Sequence, residues 1–297
     1  MTTKTSAVTV VTGASGLIGS ALSDQRVITP LLRRPPVEGE PWWEPLEGRV
    51  HNLPPNTTVA VHLAGENIAS GRWSQRRKDR IRDSRLLGTR TLVDALLAQA
   101  TPPDVLVMSS GISFYGSQGD TELSEESQPG TGFLAQLSQD WEAEGLRAQA
   151  GGIRVVQLRL GMVLSPRGGA LAKMLPAFRA GLGGPMGGGQ NWSPWIHIED
   201  VIRMIEWAIA HSHVEGAYNL VAPEAVRQRD FAATLGKVLR RPAVVPAPAF
   251  ALRLALGDMA DEALLASHRA KPKRLTEEGF EFRWSSLEAA LSDLLSR

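Results

Sequence analysis

Val8–Thr12 (VTVVT) runs directly into Gly13–Gly19 (GASGLIG), and Ser20, Ala21 and Leu22 follow. The first five residues are apolar or β-branched without alternation, the pattern of a strand buried on both faces. Glycine at 13, 16 and 19 gives G-x-x-G-x-x-G between that strand and a helix begun by Leu17 and Ile18. Glycines there permit a tight turn and let backbone N–H groups approach a pyrophosphate at the helix start. Strand, glycine turn and apolar helix together are the context in which such a motif indicates a dinucleotide site.

The next strand is expected at Val27 to Leu32 and ends in Arg33-Arg34-Pro35, with room for only two to three helical turns before it. An Asp or Glu at the end of this strand would hold a free ribose 2′-hydroxyl, whereas arginine suits a 2′-phosphate, so NADP(H) is expected over NAD. Residues 35–58 are rich in Pro, Gly and Glu around Trp42 and Trp43 and read as a long loop with one short strand at most. Val59 to Ala64 is a third buried strand, leading to Gly65-Glu66-Asn67, where a small residue lets the chain pass close to the cofactor. Arg72 to Arg90 carries eight basic residues, read as a solvated helix face partly neutralised by Asp79 and Asp83.

Asp104 to Ser109 and Ile153 to Leu160 are further strands, separated by a helix with Phe133, Leu137 and Trp141 on one face. Such alternation predicts an α/β, Rossmann-type doubly wound parallel sheet. A domain over residues 1–165 would bind the dinucleotide, with part of 190–222 returning to it. Residues 166–297 would form a smaller, mostly helical substrate-side domain. The glycine-rich run Gly181–Gly189 is too flexible for a helix or strand interior. Trp192–Asp200 is expected to open a helix to about His211, and further helices are expected over Arg229 to Arg240, Ala249 to Leu256, Asp258 to His268 and Ser285 to Leu295, with a last strand at Ala217 to Val221.

The 297 residues, 43% hydrophobic and 21% charged, suffice for a substantial core and argue against disorder. A net charge of +1 offers no bulk field for nucleic acid or an anionic membrane. The absence of cysteine excludes disulfides, thiolate catalysis and cysteine-ligated metals. No metal is expected at His211 and His213, which lack carboxylates to complete a site. There is no run of ~18 apolar residues and no signal-peptide h-region, so a cytoplasmic chain is expected, a monomer or a homodimer, with a small molecule as its ligand.

TGASGLIG at Thr12–Gly19, HLAG at His62–Gly65, SSGISFYG at Ser109–Gly116 and WIHIED at Trp195–Asp200 resemble an extended short-chain dehydrogenase/reductase. HLAGENIASGRWSQRRKDRIRDSR, LGGPMGGGQNWSPWIHIEDV and the tail VLRRPAVVPAPAFALRLALGDMADEALLASHR narrow the resemblance to an atypical branch labelled nucleoside-diphosphate-sugar epimerase or cell-division-inhibitor-related. The resemblance implies NADP held at Gly13, Ser15, Gly16, Leu17, Ile18 and Gly19, with Arg33 and Arg34 at the 2′-phosphate. It further implies Leu63, Ala64, Gly65 and Glu66 along the adenosine-to-nicotinamide path, and Val163 and Leu164 beside the nicotinamide. Arg85 and Ser110 complete the cofactor-facing set, Arg85 through the family's S-R-x-x-G/T-T pattern at Ser84–Thr89.

Ordinary dehydrogenases use a tyrosine as general acid/base with a lysine four residues later lowering its pKa. This chain has two tyrosines, and Tyr115 is followed at that spacing by Gly119, Tyr218 by Ala222. The helix that would carry the pair reads Phe133 to Ser138 without an ionisable group, which is typical of the atypical branch. Catalytic candidates are therefore Ser110, Ser113, Tyr115, Glu66 and His197. Against them, Tyr115 reads equally as a packed turn residue, and Asp200 as the cap of the helix after His197. Two functions follow: an oxidoreductase or sugar-nucleotide epimerase using other groups, or an NADP(H)-binding sensor or regulator without turnover.

Overall fold

A computed structural model describes residues 8–33 and 37–296; Arg34 lies outside the described residues. In chain order, β1 (Val8–Thr12) passes through the glycine turn into α1 (Leu17–Ser23), a seven-residue helix, and returns as β2 (Thr29–Leu31). A hairpin of β3 (Trp42–Glu44) and β4 (Arg49–His51) precedes β5 (Thr57–His62), α2 (Gln75–Leu97) and β6 (Val105–Gly111). Then come β7 (Glu122–Leu123), α3 (Phe133–Leu146), β8 (Arg154–Leu160), β9 (Met162–Leu164) and α4 (Gly169–Arg179). The chain continues with β10 (Trp195–His197), α5 (Ile198–Ala210), β11 (Gly216–Leu220), α6 (Gln228–Leu239) and α7 (Ala249–Leu256). It closes with β12 (Arg269–Ala270), α8 (Lys273–Glu277) and α9 (Leu287–Leu295).

Six strands form one wholly parallel sheet in the order β11-β8-β6-β5-β1-β2. Period-two alternation divides its side chains between two layers. Val11, Val61, Val107 and Val156 pack with Leu22 of α1 and with Val201, Ile202 and Ile205 of α5. Val10, Ala60, Leu106 and Val155 face the opposite way, against Leu92, Val93 and Leu96 of α2 and Trp141 of α3. This is the doubly wound α/β fold expected.

Chain direction across the sheet reverses at β1: β2 lies to one side, and β5, β6, β8 and β11 follow on the other. Loops after β1 and β5 therefore diverge and leave a crevice at the strands' carboxyl ends, the usual ligand position of such sheets.

Two local expectations, over 35–58 and 258–268, are corrected, and a helix over 169–179 joins those expected. Residues 35–58 contain a two-stranded antiparallel hairpin, because Trp43 buries itself on the α2 face and Trp42 stacks on His51 with ring centroids 4.0 Å apart. Residues 169–179 are helical although two glycines and Pro176 obscured the period; Leu171, Leu175 and Phe178 make its buried stripe. Residues 258–268 are helical only as far as Leu264, closing in a wide turn at Ala260–Leu264, and the Glu262 carboxylate of that turn reaches the start of α3.

Candidate functional site

The crevice at the reversal is built around Gly13. Its φ is +71°, and a Cβ added there would lie 2.8 Å from the Leu63 carbonyl carbon and the Ala64 nitrogen. A Cβ on Gly19 would lie 2.3 Å from the Gly13 oxygen, so α1 starts hard against the turn. Beneath them, Thr12 Oγ1 lies 2.7 Å from His62 Nδ1, and His62 Nε2 lies 2.9 Å from Thr89 Oγ1, which also accepts from Trp141 Nε1. This buried chain ties β1, β5, α2 and α3 together under the loops. Burial, then the nearby Arg85 charge, push the His62 pKa down to about 4, so the imidazole is neutral at ordinary pH.

Two cavities open over this floor and share Gly65. One, of about 320 Å³, is lined by Gly13, Gly16, Leu17, Ile18, Gly19, Leu63, Arg85, Ser110 and Val163, and also by Ser109, Trp141 and Leu160. The other, of about 420 Å³, is lined by Arg33, Ala64 and Glu66 together with the hairpin residues Trp43–Glu47 and Arg80, Asp83 and Ser84 of α2. Ser15 is exposed at the tip of the turn, and Leu164 is buried in the core behind Val163.

Arg85 is enclosed by protein yet open to the smaller cavity. Nη1 donates to the carbonyls of Glu66 and Ile81, both at 3.1 Å, and its guanidinium lies 5.0 Å over the Trp141 ring. Among the described residues, no carboxylate accepts a hydrogen bond from it. Desolvation pulls its pKa down to about 10, which leaves it a cation at neutral pH.

Of the five catalytic candidates, Ser110 and Glu66 line the cavities. Ser110 Oγ donates to Glu142 Oε1 at 2.6 Å. Arg159 grips that carboxylate with Nε on Oε1 at 2.9 Å and Nη2 on Oε2 at 2.8 Å. Arg159 Nη1 donates to the Tyr115 hydroxyl at 2.8 Å, which in turn donates to Asn219 Oδ1 at 2.7 Å. Burial pushes the Tyr115 pKa up to about 12, and its oxygen is occupied on both sides. The Tyr218 hydroxyl is likewise engaged, donating to Glu278 and accepting from Arg274. Neither tyrosine lines either of the two cavities.

Glu66 is held by an ion pair with Arg77. Ser113 sits in a single turn over Ile112–Tyr115 and lines neither cavity. His197 belongs to the interior: its Nδ1 accepts from the Glu199 N–H at 3.0 Å, and its ring stacks near Trp284 at 4.9 Å. It is therefore His197 that caps α5, correcting the expectation for Asp200, whose buried carboxylate instead accepts the N–H groups of Arg283 and Trp284. The Glu142–Arg159 pair escaped sequence reading because the partners lie on different elements 17 residues apart. The available signal was Arg159, a base inside the otherwise apolar strand β8.

Among the described residues, no group of three His, Asp or Glu could hold a metal, and no helix is long and apolar enough to cross a membrane.

A parallel sheet with a glycine cradle at its reversal defines a Rossmann-type dinucleotide-binding protein. The NAD dependent epimerase/dehydratase family matches residues 49–220, and a domain of unknown function, DUF1731, matches residues 247–294. An epimerase family protein of Mycobacterium bovis is 39% identical over 299 aligned positions covering 98% of both chains. The crystal structure of human epimerase family protein SDR39U1 (isoform 2) with NADPH superposes with a TM-score of 0.91 at 33% identity, covering 97% of this chain and 99% of that one. A nucleoside-diphosphate sugar epimerase of Corynebacterium glutamicum gives 0.77 at 33% identity, covering 98% of this chain and 58% of that one. The chain belongs to the NAD dependent epimerase/dehydratase family, in its atypical short-chain dehydrogenase/reductase branch.

Proposed function

We propose that this chain binds NADP(H) across the two cavities and uses it as an oxidoreductase or epimerase-like protein. The observation that carries the reading is Arg85, a cation that donates to backbone carbonyls and, among the described residues, to no carboxylate, in the wall that also contains the glycine turn. Such a charge is stabilised by an anion, and the space beside Gly13 and Gly16 suits a pyrophosphate. The glycine turn fits the same group, since a side chain at 13 or 19 would fill the cradle. Arg33 would then meet the 2′-phosphate, and Ser110 and Val163 would flank the nicotinamide. NADPH bound to the human relative supports the choice of cofactor.

The bound dinucleotide would supply hydride transfer, and Ser110 is the group we assign to the accompanying proton. Its hydroxyl proton is directed to Glu142, so its oxygen would accept the proton of a substrate hydroxyl while passing its own to the Glu142 carboxylate, and the same relay run backward would deliver a proton to a carbonyl reduced by NADPH. The Glu142–Arg159 pair fixes that orientation. The occupied tyrosines favour a second reading, an NADP(H)-binding sensor or regulator without turnover.

Titration with NADPH, read by quenching of the tryptophans, tests the common premise. Saturable quenching by Trp43 and Trp141, which line the cavities, is expected; no saturable signal would falsify both readings. Oxidation of NADPH over carbonyls and nucleotide sugars, abolished by Ser110→Ala, supports the enzyme. Tight binding with silence across the panel supports the sensor.

A further inference from the structure

The larger cavity holds a charge arrangement that the basic run in the sequence did not disclose. Six ionisable side chains line it: Arg33, Arg80, Glu44, Glu47, Glu66 and Asp83. Three of the carboxylates are already neutralised. Glu44 accepts from Arg49 at 3.0 Å and lies 3.2 Å from His51 Nε2, Glu66 pairs with Arg77, and Asp83 pairs with Arg82 at 3.2 Å. Arg33 and Arg80 have no hydrogen bond or ion pair to any described residue. The charges left over are thus two guanidinium groups against the exposed Glu47, and the cavity favours an anion despite its four acids.

The backbone under Arg80 is pinned on both sides. Arg77, three residues before it, reaches Glu66 and the Asn67 carbonyl; Ser84, four residues after it, accepts from the Glu66 N–H at 3.0 Å. Residues at these spacings share a helix face, so α2 is registered against the loop after β5 with Arg80 over the cavity.

We propose that Arg80 is a second cation for the cofactor's 2′-phosphate. Selectivity for the phosphorylated dinucleotide is then set by a clamp with one arm past the end of β2, Arg33, and the other on α2. This rests on the NADP(H) reading above, and the test separates the two. Affinities for NADPH and NADH are measured by tryptophan quenching for the native chain, Arg33→Ala, Arg80→Ala and the double variant. Arg80→Ala removes an exposed side chain without partners, so its fold is expected to be intact, checked by an unchanged melting temperature.

The expected result is a loss of roughly tenfold for NADPH with Arg80→Ala, the scale of one charge-assisted hydrogen bond, and less than about twofold for NADH. The double variant should bind the two cofactors alike. If Arg33→Ala weakens NADPH selectively while Arg80→Ala matches the native chain, Arg80 has no such role and the NADP(H) reading stands. Equal losses for NADPH and NADH with Arg80→Ala also overturn the clamp. If the native chain does not prefer NADPH and Arg33→Ala changes nothing, the underlying choice of NADP(H) fails first.

Discussion

Gly13 is a position where one missing atom shapes the site, because its left-handed backbone and the contact with Leu63 and Ala64 leave no space for a Cβ. The neutral His62 just below has an equally specific role. It bridges Thr12 and Thr89, and it can do so only while unprotonated or at the cost of an uncompensated buried charge. His268, pushed by burial to about 4, has the same property elsewhere. Both folded pKa values lie below the ordinary 6.5, so the unfolded chain binds more protons as the pH falls between these limits. Stability is therefore full above about pH 6.5 and is lost progressively toward pH 4, by up to about 1.4 kcal/mol per pH unit for each histidine. Urea unfolding across that window checks this, and His62→Gln should flatten the slope. An unchanged slope would show that His62 is not held neutral.

At the level of elements, α3 illustrates how a distant segment completes a helix. No side chain of its own caps the start, and the Glu262 carboxylate instead accepts the N–H groups of Phe133 at 3.0 Å and Leu134 at 3.1 Å. An anion on those amides also complements the helix dipole. Glu262→Ala should cost about 1–2 kcal/mol of stability, as loss of a cap does. It should also speed hydrogen exchange at the Phe133 and Leu134 amides while leaving the middle of α3 protected; exchange unchanged at both would refute the capping role. Legibility followed local pattern: β1, β5, β6 and β8 are short, mostly unbroken apolar runs, and α5 and α9 repeat at helical spacing. The hairpin and α4 do not, because tryptophan burial and a tolerated Pro176 are tertiary accommodations of weak local patterns.

For the whole molecule, the reversal at β1 places the cavities over elements that are joined through packed side chains, from the His62 bridge to the sheet's two hydrophobic layers. A ligand that binds only this assembled crevice stabilises the entire cooperative unit. NADPH at about 100 times its dissociation constant is expected to add roughly 2.7 kcal/mol and to raise the melting temperature by a few degrees. Differential scanning fluorimetry reads this directly, and a melting temperature indifferent to NADPH counts against the site.

The sequence by itself determined the first strand–turn–helix unit, the parallel α/β architecture and the absence of any Tyr-x-x-x-Lys pair, because each is carried by neighbouring residues. It also marked Gly13, Arg33, Arg85 and Ser110, which line the crevice. Only the tertiary structure decided which polar groups act together. Ser110, Glu142, Arg159, Tyr115 and Asn219 form one network although they come from four separate segments, and Arg80 is the arginine of its helix that lines the larger cavity, with no partner among the described residues. Hydrogen bonds and charge pairing depend on distances of a few ångströms, and those distances are created by sheet order and helix register rather than by spacing along the chain.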